Sequence, residues 1–240
     1  MLVEVCANSL ESACNAENAG ADRIELCSEL GVGGITPSYG LLKAVRKEIS
    51  IPIRVLIRPR SGDFTYSESE FRIMQNDIAL CADMGFEGVV SGILQHNFTL
   101  DVVRTQLLVA LAKPMKFTFH RAFDWVQDPA ATASQLEELG IANILTSGQQ
   151  KNAMEGIALL SGLHATTAKT VIMPGGGIHE NNVAVFKEKG FKAIHLSGTE
   201  LVPTLNEKPT VSMNSPALLA EDAVLMTMEN RIRRVVQLVK

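Results

Sequence analysis

A chain of 240 residues with 46% hydrophobic, 20% charged and 5% aromatic residues is too apolar for disorder and carries no low-complexity bias. At ~150 residues per domain this length falls between one domain and two, and an α/β barrel of roughly 250 residues absorbs it as a single unit. A net charge of −4 excludes the broad basic field that nucleic acid or an anionic membrane surface would need.

No apolar run reaches the ~18 residues of a membrane span. The first six residues lack a basic and apolar leader, and the 4 cysteines then predict a cytoplasmic chain with free thiols.

The elements alternate along the chain. A strand at Val3–Cys6 precedes a helical pattern over 9–19. Then comes Gly20-Ala-Asp-Arg-Ile-Glu-Leu-Cys-Ser28, a segment that opens with Gly, runs apolar and stops at a small polar residue. The pattern recurs from Gly85 to Gly92, Gly140 to Gly148 and Gly190 to Gly198. Each opening Gly suits the left-handed turn after a helix. The spacings of 65, 55 and 50 residues equal two βα units, so a further strand lies between each pair. Those strands are read at Ile53–Ile57, Lys116–Phe119 and Thr170–Met173. Helical patterns fall at 38–48, 67–83, 99–111, 128–139, 152–162, 181–189 and 216–238. Eight strand–helix units in one domain spanning 1–240 predict an α/β fold of the single (βα)8 TIM-barrel class. Residues 199–216, with Pro203, Pro209 and Pro216, read as an irregular loop before the last helix.

Side-chain alternation assigns the strand faces. Ile24, Val89, Ile144 and Ile194 share a uniform β-branched register, which suits contact with helices. Glu25, Val90, Leu145 and His195 occupy the other register and are predicted to face the interior. Cys27, Ser147 and Ser197 end that register at the C-terminal mouth, where barrels of this class build their sites.

Several groups there carry chemistry. Glu4 and Cys6, and likewise Glu25 and Cys27, stand two apart on neighbouring strands and so share a face. Cys6 and Cys27 suit either small core positions or a soft-metal pair. Arg58 follows directly on the run Ile53–Ile57, and Arg60 and Arg121 each precede an Asp by three residues, Asp63 and Asp124. Guanidinium groups at a mouth match carboxylates or phosphates, or else neutralise neighbouring acids. Gly175, Gly176 and Gly177 after strand 7, with Ser197 and Thr199 after strand 8, form a candidate anion cradle. Glu25, His120, Asp124 and His195 are the candidate acids and bases.

The segments Glu4–Ser9, Gly20–Ser28, Gly33–Ser38, Ile57–Arg60, Gly62–Phe64, Thr118–Asp124, Leu145–Gly148 and His195–Ser197 together resemble the CutC family of copper homeostasis proteins. The resemblance runs over about residues 1–198. It implies a cytoplasmic, homo-oligomeric (βα)8 protein that handles copper, with Cys6 and Cys27 as Cu(I) ligands. The cluster of arginines, histidines and glycines implies instead an isomerase-, epimerase- or lyase-type enzyme acting on a small phosphorylated or carboxylated metabolite.

Overall fold

The computed structural model describes residues 1–207, 209–213 and 221–240. Eight parallel strands form one sheet: β1 (Leu2–Ala7), β2 (Arg23–Leu26), β3 (Ile53–Leu56), β4 (Gly88–Ser91), β5 (Lys116–Phe119), β6 (Asn143–Thr146), β7 (Val171–Pro174) and β8 (Ala193–Leu196). From β1 to β7 each strand pairs with its sequence neighbours, and β8 pairs with β1. A single bridge between Gly175 and His195 joins the β7 and β8 ends, so the barrel is nearly closed.

Helices α1 (Leu10–Asn18), α2 (Tyr39–Glu48), α3 (Glu68–Asp83), α4 (Val102–Ala112), α5 (Pro129–Glu138), α6 (Ile157–Thr166), α7 (Val183–Glu188) and α8 (Glu229–Val239) surround the sheet. Polar side chains set where several of them start. Ser9, Ser38, Ser67, Asp101 and Asp128 each accept a backbone N–H of the first turn. At α3 the cap is reciprocal, because Glu70 reaches back to Ser67. The four repeat glycines, Gly20, Gly85, Gly140 and Gly190, have φ of 87°, 73°, 80° and 79°, the left-handed conformation that the sequence pattern requires.

The two strand faces divide as alternation predicts. Ile24, Val89, Ile144 and Ile194 lie in the layer between sheet and helices. Cys6, Cys27, Leu56 and Val90 cluster inside the barrel, and Leu145, Met173 and Ala193 form a second interior group. Below Cys6 the interior is polar, with Glu4, Arg23, Arg54, Thr118 and Asn143 all buried.

The C-terminal region differs from the sequence expectation. Thr199–Pro203 is not irregular: it forms β9, which pairs antiparallel with β10 (Ala223–Thr227). The last helix therefore starts at Glu229, and Val224 and Leu225 belong to a strand. Their spacing relative to Met228 satisfies a helical period as well as a strand, and α1 decides between them. Asn8 and Asn15 donate to the carbonyls of Leu225 and Thr227 (3.1 and 2.9 Å), and Ser12 Oγ accepts from Thr227 N–H (3.0 Å). The hairpin is thus tied down along its backbone. Pro216, and the proposed helical residues 216–220, lie outside the described residues.

Candidate functional site

At the C-terminal mouth is a cavity of about 280 Å³ whose wall includes Cys6, Glu25, Arg58, His120, Arg121, Gly176, Gly177, His195 and Ser197. Seven different βα units contribute to this one wall. Leu30, Gly33, Leu56, Phe64, Leu145, Ile178 and Leu196 complete it with largely apolar surface.

The floor is a polar cluster. Cys6 Sγ lies 3.5 Å from Cys27 Sγ and 3.6 Å from Glu25 Oε1. His195 Nδ1 is 2.9 Å from Glu4 Oε1 and 3.9 Å from Glu25 Oε2. Burial opposes ionisation of Glu4, but Arg23 and His195 outweigh it and hold the pKa at about 2. An ionised carboxylate only accepts, so His195 Nδ1–H is the donor. Burial favours neutral His195, yet Glu25 and Glu4 raise its pKa above the ordinary value. For Glu25, burial, with help from Glu4, raises the pKa and makes the carboxylate more basic. The Cys6 thiol is pushed well up by its hydrogen bond with Cys27 and by burial.

Opposite the floor, His120 is buried and its pKa falls to about 3, through burial and then the Arg58 charge. The ring is therefore neutral. Its Nδ1 accepts from Ala122 N–H at 3.2 Å, which places the proton on Nε2. Arg58 is fixed by loop carbonyls: Nη1 donates to Val32 and Gly34 (2.9 and 2.8 Å) and Nη2 to Gly62 (2.8 Å). Its guanidinium stacks on Phe64 at 5.1 Å. Three side-chain atoms of cavity residues are buried with no hydrogen-bond partner: Glu25 Oε2, Arg58 Nε and His120 Nε2.

The remaining candidates divide. Arg121 lines the cavity while bonding Asp124 (2.7 Å) and Ser147 Oγ (2.9 Å). Asp124 does not line it. Its carboxylate accepts from Arg121, Thr146 Oγ1 (2.5 Å), Ser147 N–H (3.0 Å) and Gln149 N–H (3.2 Å), so it is saturated by Arg121 of its own loop and by the end of β6 and the residues after it. Arg60 also lies off the wall, paired with Glu70 (2.6 Å) and Asp63 (3.2 Å). Gly176 and Gly177, with φ of 101° and 72°, form wall, whereas Gly175 lies behind them in the bridge to His195. Ser197 stands between this cavity and a smaller adjoining one of about 210 Å³, which Thr199 and Arg231 line.

Two interior residues escape the sequence reading. Arg23 pairs with Glu4, and Arg54 Nη1 donates to Thr118 Oγ1 and Asn143 Oδ1. The signal was alternation itself, since Arg23 is two before Glu25 and Arg54 is four before Arg58.

Taken together, fold and site define a (βα)8-barrel protein with a cavity at its C-terminal mouth that is floored by a polar cluster. The CutC family model matches residues 1–200, and the chain belongs to the CutC family. A family protein CutC from Proteus mirabilis (strain HI4320) is 45% identical over 91% of this chain and 88% of its own. One from Edwardsiella ictaluri (strain 93-146) is 48% identical over 85% of this chain and 81% of its own. The solved structure of the putative copper homeostasis protein CutC from Streptococcus agalactiae superposes with a TM-score of 0.78 at 33% identity, covering 82% of this chain and 98% of that one. A 3-hexulose-6-phosphate synthase from Salmonella typhimurium, at 17% identity and a TM-score of 0.61 over 100% of this chain and 98% of that one, shares the fold alone. Among the described residues no helix is long and apolar enough to cross a membrane.

Proposed function

We propose that the mouth binds a small carboxylated or phosphorylated metabolite and moves a proton on it. The observation that carries this reading is the set of unpartnered atoms, Glu25 Oε2, Arg58 Nε and His120 Nε2, on residues of one cavity wall. Each buried polar atom without a partner costs about 1–3 kcal/mol, which an oxygen-rich ligand recovers. Two of the three are donors, so the ligand presents oxygen to them. A cation at the floor would satisfy neither Arg58 nor His120.

The chemistry that suits this arrangement is abstraction of a proton next to a carbonyl or carboxylate, and its return. Glu25, made more basic by burial, takes the proton. The neutral His120 Nε2–H and the Arg58 guanidinium meet the charge that develops on the substrate oxygen. His195, whose pKa the acids raise, returns a proton, and the cycle closes when Glu25 releases its proton to solvent and His195 takes one back from it. The net reaction is an isomerisation or epimerisation that needs no co-reactant; when the proton's return is replaced by loss of a β-leaving group, it is an elimination.

Calorimetric titration with 2-phosphoglycolate tests the binding half. Saturable binding weakened about ten-fold in His120→Ala supports it, that being the value of one hydrogen bond to a charged group. Equal affinity in the variant refutes it.

A second reading has its own observation. Ligand atoms of Cys6, Glu25 and His195 all lie within 4.8 Å of one another, with Cys27 Sγ beside Cys6. Two sulfurs and an imidazole form a donor set that suits Cu(I) as cargo. Binding there must displace the Cys6 proton, which its surroundings hold tightly. Cu(I) competition with bicinchoninate decides: the reading requires affinity to collapse in the Cys6→Ser, Cys27→Ser double variant, and unchanged affinity removes these ligands. The homo-oligomer belongs to this proposal as well. It rests on the exposed apolar row Val103, Leu107 and Leu111 of α4, and a sedimentation run showing only monomer refutes it.

A further inference from the structure

The opposite end of the barrel holds a second cavity, of about 570 Å³, at the N-terminal ends of the strands. Its wall carries five cationic side chains, Arg23, Arg54, Lys116, Lys169 and Lys192, against one carboxylate, Glu137. That carboxylate is already committed, because it accepts the backbone N–H groups of Lys169 (2.5 Å) and Thr170 (2.9 Å). Arg23 is also committed, to Glu4.

Arg54 is the unusual member. It is only 7% exposed, yet no carboxylate of the described residues lies within 4.0 Å of it. Its Nη1 donates to Asn143 Oδ1 at 2.5 Å and to Thr118 Oγ1, both neutral acceptors. Nε and Nη2 have no acceptor among the described residues. Lys116, Lys169 and Lys192 likewise form no side-chain ion pair there. Glu4 and Glu25 act on Arg54 only from beyond contact distance; a buried guanidinium with no carboxylate in contact is expensive, and two free donors on one fork match the oxygens of a phosphate. A barrel that needed only stability would fill this layer with branched aliphatics. The chain's net charge of −4 makes a concentrated cationic pole stand out further, and the pole's confinement to one cavity suits a compact ligand.

We propose that this N-terminal cavity is a second anion site, separate from the mouth, which takes a small multiply charged oxyanion of the phosphate or phosphate-ester class. Arg54 lies at its base and supplies the directional donors. Lys169 and Lys192 close over the anion from the loops before β7 and β8.

The probe is inorganic phosphate, titrated calorimetrically at low ionic strength into the full chain. Three proteins are compared: wild type, the Lys169→Gln, Lys192→Gln double variant and the mouth variant His120→Ala. The expected result is a saturable binding step, distinct from any at the mouth, that weakens about ten-fold or more in the lysine variant and persists in His120→Ala, in which phosphate binding at the mouth is the part that falls. Arg54→Lys keeps the charge but loses the fork, and it too should weaken binding, with circular dichroism confirming that it folds. No saturable heat below about 10 mM phosphate overturns the proposal. A single binding step that the lysine variant leaves intact and His120→Ala removes overturns it as well, by placing the anion at the mouth alone.

Discussion

Replacing Glu4 by Gln should cost about 3 kcal/mol of stability. Glu4 is fully buried and holds two partners at once, Arg23 across the β1–β2 register and His195 at 2.9 Å. Its pKa drops from 4.5 to about 2, and at 1.4 kcal/mol per pH unit that shift corresponds to roughly 3 kcal/mol. Removing one partner of a buried ion pair generally costs about 3–5 kcal/mol, which is the same order. The sign follows from a folded-state pKa below the unfolded one. The contribution is present in full above pH 4.5 and is lost as pH falls through about 2. Urea unfolding followed by circular dichroism at a series of pH values measures this. Wild type should lose stability progressively from about pH 5 downward, whereas Glu4→Gln should start lower and lack this component of the fall. A Glu4→Gln protein within about 1 kcal/mol of wild type at pH 7 would refute the assignment of Glu4 as the central counter-charge.

Other outcomes follow from the same geometry. Asp124→Asn should lower stability by about 2 kcal/mol and release Arg121, because one carboxylate organises Arg121, Thr146, Ser147 and Gln149; urea unfolding checks this. Gly156→Ala should cost about 3 kcal/mol or more, or prevent folding, since a Cβ there would overlap the Ser147 carbonyl and the Gly148 backbone; the soluble yield and urea midpoint show it. His195 should titrate above 6.5 by imidazole NMR, and Glu25→Gln should lower that value by removing the acid that contributes most to raising it. A raised folded-state pKa means that the stability His195 contributes is complete below pH 6.5 and fades as pH rises through its folded value.

Much of this site could be read from the chain before its structure. Period-two alternation places Glu25 and His195 inside and Ile24 and Ile194 outside, because the pleat leaves no other choice once one face is uniform. The eight-unit count rests on the glycines that end helices, and their left-handed backbone follows. Arg54 was hidden inside the run Ile53–Ile57, whose four apolar residues dominate any average. Arg60 and Asp124 show a different limit. An Arg and an Asp three apart on one loop pair with each other, so position at the mouth does not make either a ligand group. The β9–β10 hairpin was illegible because its partner contacts come from α1, about 200 residues earlier.

The central claim is that oxygen atoms of a small anion complete the mouth. A crystal structure grown with 2-phosphoglycolate tests it most directly. The account predicts density in the mouth cavity with ligand oxygens within hydrogen-bonding distance of His120 Nε2 and Arg58 Nε. A mouth filled only by water at saturating 2-phosphoglycolate would contradict it.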